Sequence, residues 1–80
     1  MKGISDRTKA LVGYEYNRAV RKHGPIFENL RRAHVALLSE AGELHEAIMK
    51  NDIDGRHGVR NEAAQVIAVA LKILEGLNNG

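Results

Sequence analysis

An all-α fold, a short bundle of about three helices per chain, follows from three features of the sequence. The 80 residues hold a single proline; three stretches run almost without helix breakers; and apolar side chains recur at three- and four-residue steps. At 44% hydrophobic and 28% charged residues, the composition is that of an ordinary globular protein, which excludes disordered, collagen-like and low-complexity classes. The length corresponds to one domain, residues 1–80. Such a short chain buries only about 60% of the surface it exposes when unfolded. With no cysteine, neither a disulfide nor a thiolate-zinc site can make up the shortfall. Completion of the bundle by oligomerisation is therefore expected.

The first helix is expected from Asp6 to His23, with Val12, Tyr16, Ala19 and Val20 at helical spacing. Gly24-Pro25 ends it, glycine accepting a left-handed cap and proline refusing continuation, and a short linker runs through Phe27. Asn29 is placed to cap the second helix. From there to Lys50, the residues Leu30, His34, Leu37, Ala41, Leu44 and Ile48 form the stripe of a helix packed in a bundle. Residues 51–58 read as a polar, glycine-punctuated turn; Asp52-Ile53-Asp54-Gly55 lacks the other acids that would make it a calcium loop. A third helix begins between Gly58 and Asn61 and runs to Leu77. At 100° per residue its apolar side chains wrap most of the circumference and leave one polar strip of Glu62, Gln65 and Lys72. A helix of this kind has to be covered nearly all round, which places it inside a bundle shared with another subunit.

The net charge of +2 hides an asymmetry. Residues 1–39 carry eight Lys/Arg against three acids, and residues 40–80 carry four against seven. One half suits phosphates and the other cations. The first residues lack the apolar run of a signal peptide and no stretch is long and apolar enough for a membrane span. A cytoplasmic protein with no membrane partner is expected.

Ser39-Glu40-Ala41-Gly42-Glu43 is the informative segment. Carboxylates three apart on a helix lie about 5–6 Å apart at Cβ and repel unless a cation intervenes. Neither glutamate has a Lys or Arg three or four residues away, whereas Glu46 has Lys50. Ala33, Ala36 and Ala47 project on the same side, and Gly42 costs roughly 1 kcal/mol against alanine in mid-helix, which points to a need for space there. Glu62, at the edge of an apolar helix, also has no cation one turn away. Glu40, Glu43 and Glu62 are thus candidates to converge across two antiparallel helices on a hard divalent cation, Mg²⁺ first because it takes oxygen ligands and bridges to substrate phosphates. A solvated acidic row serving solubility is the alternative.

The same residues carry a resemblance. Glu40-Ala41-Gly42-Glu43, eighteen residues, then Glu62-Ala63-Ala64-Gln65 resembles the E-x-x-E … E-x-x-D signature of MazG-like all-α nucleoside triphosphate pyrophosphohydrolases. Arg21-Lys22-His23-Gly24 before the loop, Leu37 to Leu44 on the second helix and Arg60 to Ala70 on the third extend the similarity to a compact subgroup, over about Tyr14 to Leu77. The resemblance implies a MazG-like bundle assembled as a homodimer or homotetramer. It also implies Mg²⁺, with Mn²⁺ as substitute, and cleavage of a (deoxy)nucleoside triphosphate between the α- and β-phosphates to the monophosphate and pyrophosphate. Carried over, Glu40, Glu43, Glu62 and Gln65 take the metal positions, with Glu40 and Glu43 catalytic. Gln65 stands where the common motif has Asp, which removes one negative charge and implies weaker binding or fewer metals.

Lys72, two turns beyond Gln65, is a candidate to reach a phosphate or to pair with a nearby glutamate. Lys22 and Arg60, with Arg21 and Arg56, lie in or beside loops that could flank the site. A di-iron site is disfavoured because no glutamate has histidine at i+3, and His34 and His45 read as packed histidines rather than zinc ligands. The rivals from other classes are a non-catalytic MazG-like bundle and a small basic nucleic-acid- or protein-binding module using Arg18, Arg21, Lys22, Arg31 and Arg32. The third helix is too apolar for a recognition helix, so no nucleic-acid partner is expected.

Overall fold

The computed structural model describes residues 3–24 and 29–79; the expected linker from Pro25 to Phe27 lies outside them. The chain is all-α, with α1 at Asp6–His23, α2 at Leu30–Met49 and α3 at Val59–Asn79. Each boundary has a local cause. Ser5 caps α1 by accepting from the Thr8 amide at 3.1 Å, and Asn29 caps α2 by accepting from the Arg32 amide at 2.9 Å. Gly24 closes α1 at φ 85°, where its amide donates to Val20 at 2.7 Å. Its ψ of 168° leaves the left-handed helical basin for a region essentially reserved for glycine.

A Schellman arrangement ends α2. Asn51 sits at φ 55°, its amide donating to Ile48 at 3.0 Å while that of Asp52 donates to Ala47 at 3.1 Å. The turn that follows is held by Asp52: its carboxylate accepts from the Gly55 amide at 2.9 Å and its carbonyl from Val59 at 2.7 Å. Gly58 is required here, since a Cβ would lie 2.8 Å from the Asp52 and Ile53 carbonyl oxygens and from the Gly55 nitrogen.

Helix α3 packs between the other two, and among the described residues α1 and α2 make no backbone approach to each other. The N-terminal part of α2 lies beside the C-terminal part of α3 and the end of α2 beside the start of α3, so these two run antiparallel. The first turns of α1 border the first turns of α3, so that pair runs parallel. The core is made of Ala33, Ala47, Ala64, Ala68 and Val69 together with Glu15, Glu62 and Lys72.

Within the single chain, two helix faces are arranged as follows. The α2 stripe is not packed inside the chain: Leu30 is 61% and Ile48 55% exposed, His34 and Ala41 are exposed too, and only Leu37 and Leu44 are half-buried. The contact with α3 runs instead through Ala33 and Ala47, because short side chains permit the closest helix approach. On α3 the polar strip faces inward, with Glu62 and Lys72 each 1% exposed, while Leu74 and Leu77 on the outer side are 54% and 60% exposed. Packing within the chain does not require Gly42: among the described residues no atom lies within 4 Å of where its Cβ would stand.

Candidate metal centre

Glu40 and Glu43 are presented by successive turns of α2, and Glu62 by the first turn of α3. The Asp52 turn brings them together: by closing on Val59 it starts α3 directly opposite the end of α2, and the Glu62 amide is tied to the Gly58 carbonyl at 2.9 Å. One carboxylate oxygen from each of Glu40, Glu43 and Glu62 lies within 4.8 Å of the others. The three sequence-derived acids therefore form one cluster. Glu62 is buried, Glu40 half-buried and Glu43 exposed, so the group opens to solvent on the Glu43 side.

Gln65, one turn beyond Glu62, joins the cluster through its amide. Oriented to satisfy its neighbours, Nε2 donates to Glu40 Oε2 at 2.9 Å and to Glu62 Oε2 at 3.3 Å. It bridges the two helices, and rotation about its last torsion would present the amide oxygen instead.

The electrostatics are those of anions held close together. Glu40 is raised to about 7, first by burial, then by the charge of Glu43 and a hydrogen bond with it, then by Glu62, with Lys22 pulling the other way. Glu62 is also raised, chiefly by burial, against the opposing hydrogen bond with His57. The His57 Nδ1 lies 3.4 Å from Glu62 Oε1. His57 stands in the α2–α3 turn, five residues before Glu62, and no periodicity or spacing marked it beforehand. Three carboxylates and an amide oxygen form a hard, oxygen-only donor set, which fits Mg²⁺ or Mn²⁺ and disfavours soft metals.

The basic residues separate into two groups. Lys72 is buried in the cleft between the three helices, where Lys22 also stands beside Glu40 and Gln65; burial lowers the Lys72 ammonium from its ordinary value. Arg60 lies elsewhere. Its Nε donates to Asp54 at 2.7 Å, and it lines a groove between the starts of α1 and α3. Sequence reasoning missed one further pair: Glu15, buried on α1, accepts from Arg18 Nη1 at 3.1 Å, and both line the cleft that holds Lys72. Arg18 and Lys22 follow Glu15 at i+3 and i+7, a one-face spacing that could have flagged them.

No helix of the described residues is long and apolar enough to cross a membrane. Compared with protein-family models, with curated proteins and with solved structures, the chain matches none.

Proposed function

We propose that this chain is a MazG-like, Mg²⁺-dependent nucleoside triphosphate pyrophosphohydrolase working as a homodimer or homotetramer. The observation that carries the proposal is the meeting of Glu40, Glu43 and Glu62, from two helices, within 4.8 Å. Unneutralised carboxylates at such distances raise one another's pKa, and a divalent cation is the chemistry that relieves them. Bound there, Mg²⁺ would neutralise phosphate oxygens and acidify a water.

The chain's own residues supply the rest. Glu62 and Gln65 hold the α3 side of the site. Glu43, exposed at its mouth, faces the side from which water and nucleotide arrive. Glu40, half-buried between Glu43 and Gln65, would hold the α2 side of the metal, and a carboxylate at the edge of the site would accept the proton of the attacking water. Water adds across the α–β anhydride: one phosphorus gains the water oxygen, the other keeps the former bridging oxygen, and the proton passes to a carboxylate. Lys22 and Lys72 lie on the side where phosphate charge needs a counterion.

The assembly is supported by the outward apolar faces of α2 and α3, which a second copy of the chain would cover. The deciding experiment is pyrophosphate release from a panel of ribo- and deoxyribonucleoside triphosphates with Mg²⁺. Wild type should turn over at least one of them, and Glu43→Gln and Glu40→Gln should each lose at least about 100-fold. Background release from wild type on every nucleotide would end the hydrolase proposal.

A further inference from the structure

Two clefts begin at the acidic cluster, and they differ in size and in charge. The one toward α1 shares Glu40 and Gln65 with the cluster and has a volume of about 90 Å³. The one toward the Asp52 turn shares Glu43 and Glu62 and has a volume of about 370 Å³. Beyond the shared acids, the α1-side cleft carries Arg18, Lys22 and Lys72 against Glu15. The turn-side cleft carries Glu46 and Asp52 against Lys50, with His57. One is therefore cationic and the other anionic.

A nucleoside triphosphate held at its α–β linkage leaves the centre in two directions, the nucleoside one way and the terminal phosphates the other. At about 90 Å³ against about 370 Å³, the α1-side cleft is the smaller of the two, so the bulkier nucleoside is assigned to the turn side. The turn-side volume falls in the range of roughly 300–1,000 Å³ usual for small-molecule sites. The terminal phosphates carry most of the negative charge, and they meet repulsion from Glu46 and Asp52 on one side and attraction on the other. Lys72 is 1% exposed, so its ammonium acts on an anion with little screening from water.

We infer that the departing pyrophosphate lies in the α1-side cleft against Lys22, Arg18 and Lys72, while the nucleoside lies over the Asp52 turn. Helix α1 is then the leaving-group side of the site, and Glu15 is the positioning residue that holds Arg18 there. This rests on the hydrolase reading above and adds to it the direction in which the substrate lies.

The test is binding of magnesium pyrophosphate by calorimetry to wild type and to three variants that each delete one lysine charge: Lys72→Met, Lys22→Gln and Lys50→Gln. Lys72→Met and Lys22→Gln should each weaken pyrophosphate about tenfold, and Lys50→Gln should stay within about twofold of wild type. Lys22 is exposed, so its variant keeps the test valid if the buried substitution disturbs folding, which circular dichroism would reveal. Weakening by Lys50→Gln with the other two unchanged would reverse the assigned direction, and equal weakening by all three would reduce the effect to net charge; either overturns the inference and leaves the hydrolase reading standing. Absence of Mg²⁺ binding, pyrophosphate binding and turnover in wild type would remove both.

Discussion

Glu40 sets the pH behaviour of the metal-free protein. Its carboxyl is raised from 4.5 to about 7, so the folded state holds that proton more tightly than the unfolded chain does. The associated stability is fully present below about 4.5 and is lost as pH rises through about 7; Glu62, raised as well, acts in the same sense. In the presence of a chelator, the melting temperature should fall between pH 5 and pH 8. A divalent cation prefers the ionised carboxylates, so Mg²⁺ should raise the melting temperature more at pH 8 than at pH 5, and its binding near pH 6 should release protons. Thermal melts at both pH values check this, and an equal Mg²⁺ effect at both would contradict a site built on Glu40.

At the scale of elements, the site depends on how closely α2 and α3 approach and on where α3 starts. Ala47 is 3% exposed at that contact, one turn beyond Glu43. Ala47→Leu would wedge the helices apart, with an expected cost of about 1–3 kcal/mol and a loss of Mg²⁺ affinity as Glu43 moves from Glu62. Denaturant unfolding and metal titration measure the two effects. Gly58→Ala places a Cβ 2.8 Å from three backbone atoms that have no rotamer to yield, so a destabilisation of at least about 1–3 kcal/mol is expected, again with weaker Mg²⁺ binding. Asn29→Ala removes the α2 cap far from the acids. It should cost about 1 kcal/mol in the same unfolding measurement and leave metal affinity unchanged.

At the scale of the molecule, α3 buries two charged side chains among Ala64, Ala68 and Val69 and leaves larger aliphatic ones outside. Its largest fully buried side chains are Lys72 and Glu62, while Ile67, Leu74 and Leu77 are exposed, as are Leu30, Leu38 and Ile48 on α2. Desolvating ionisable groups costs free energy, and these half-exposed aliphatic side chains contribute only part of the roughly 1.5–3 kcal/mol each could supply on full burial. A second copy covering these faces would restore that contribution. Sedimentation or light scattering should give a dimer or tetramer mass at micromolar concentration, with a melting temperature that rises with concentration. Ile67→Glu with Leu74→Glu should lower both; a wild-type monomer with a concentration-independent melt would refute the assembly.

The helices were legible because their causes are local: Asn29 as a cap, Gly24 as terminator, and three- and four-residue apolar steps read directly from neighbours in the chain, although the Ser5 cap of α1 was seen only in the structure. The acids Glu40, Glu43 and Glu62 were legible for the same reason, since each lacked a cation within one turn of its own helix. Which face of a helix turns inward is a different kind of fact. The α2 stripe pointed to the core by periodicity, yet Ala33 and Ala47 occupy the contact, because a pair of helices packs where the side chains are shortest when the aliphatic faces have no partner within the chain. The joining of Gln65 to Glu40, the placement of His57 beside Glu62 and the cleft that unites Glu15, Arg18 and Lys72 depend on distances between helices. Sequence alone determined the three helices and the residue types available for chemistry; tertiary packing decided which of them meet, because the spacing between α1, α3 and α2 is set by contacts among residues far apart in the chain.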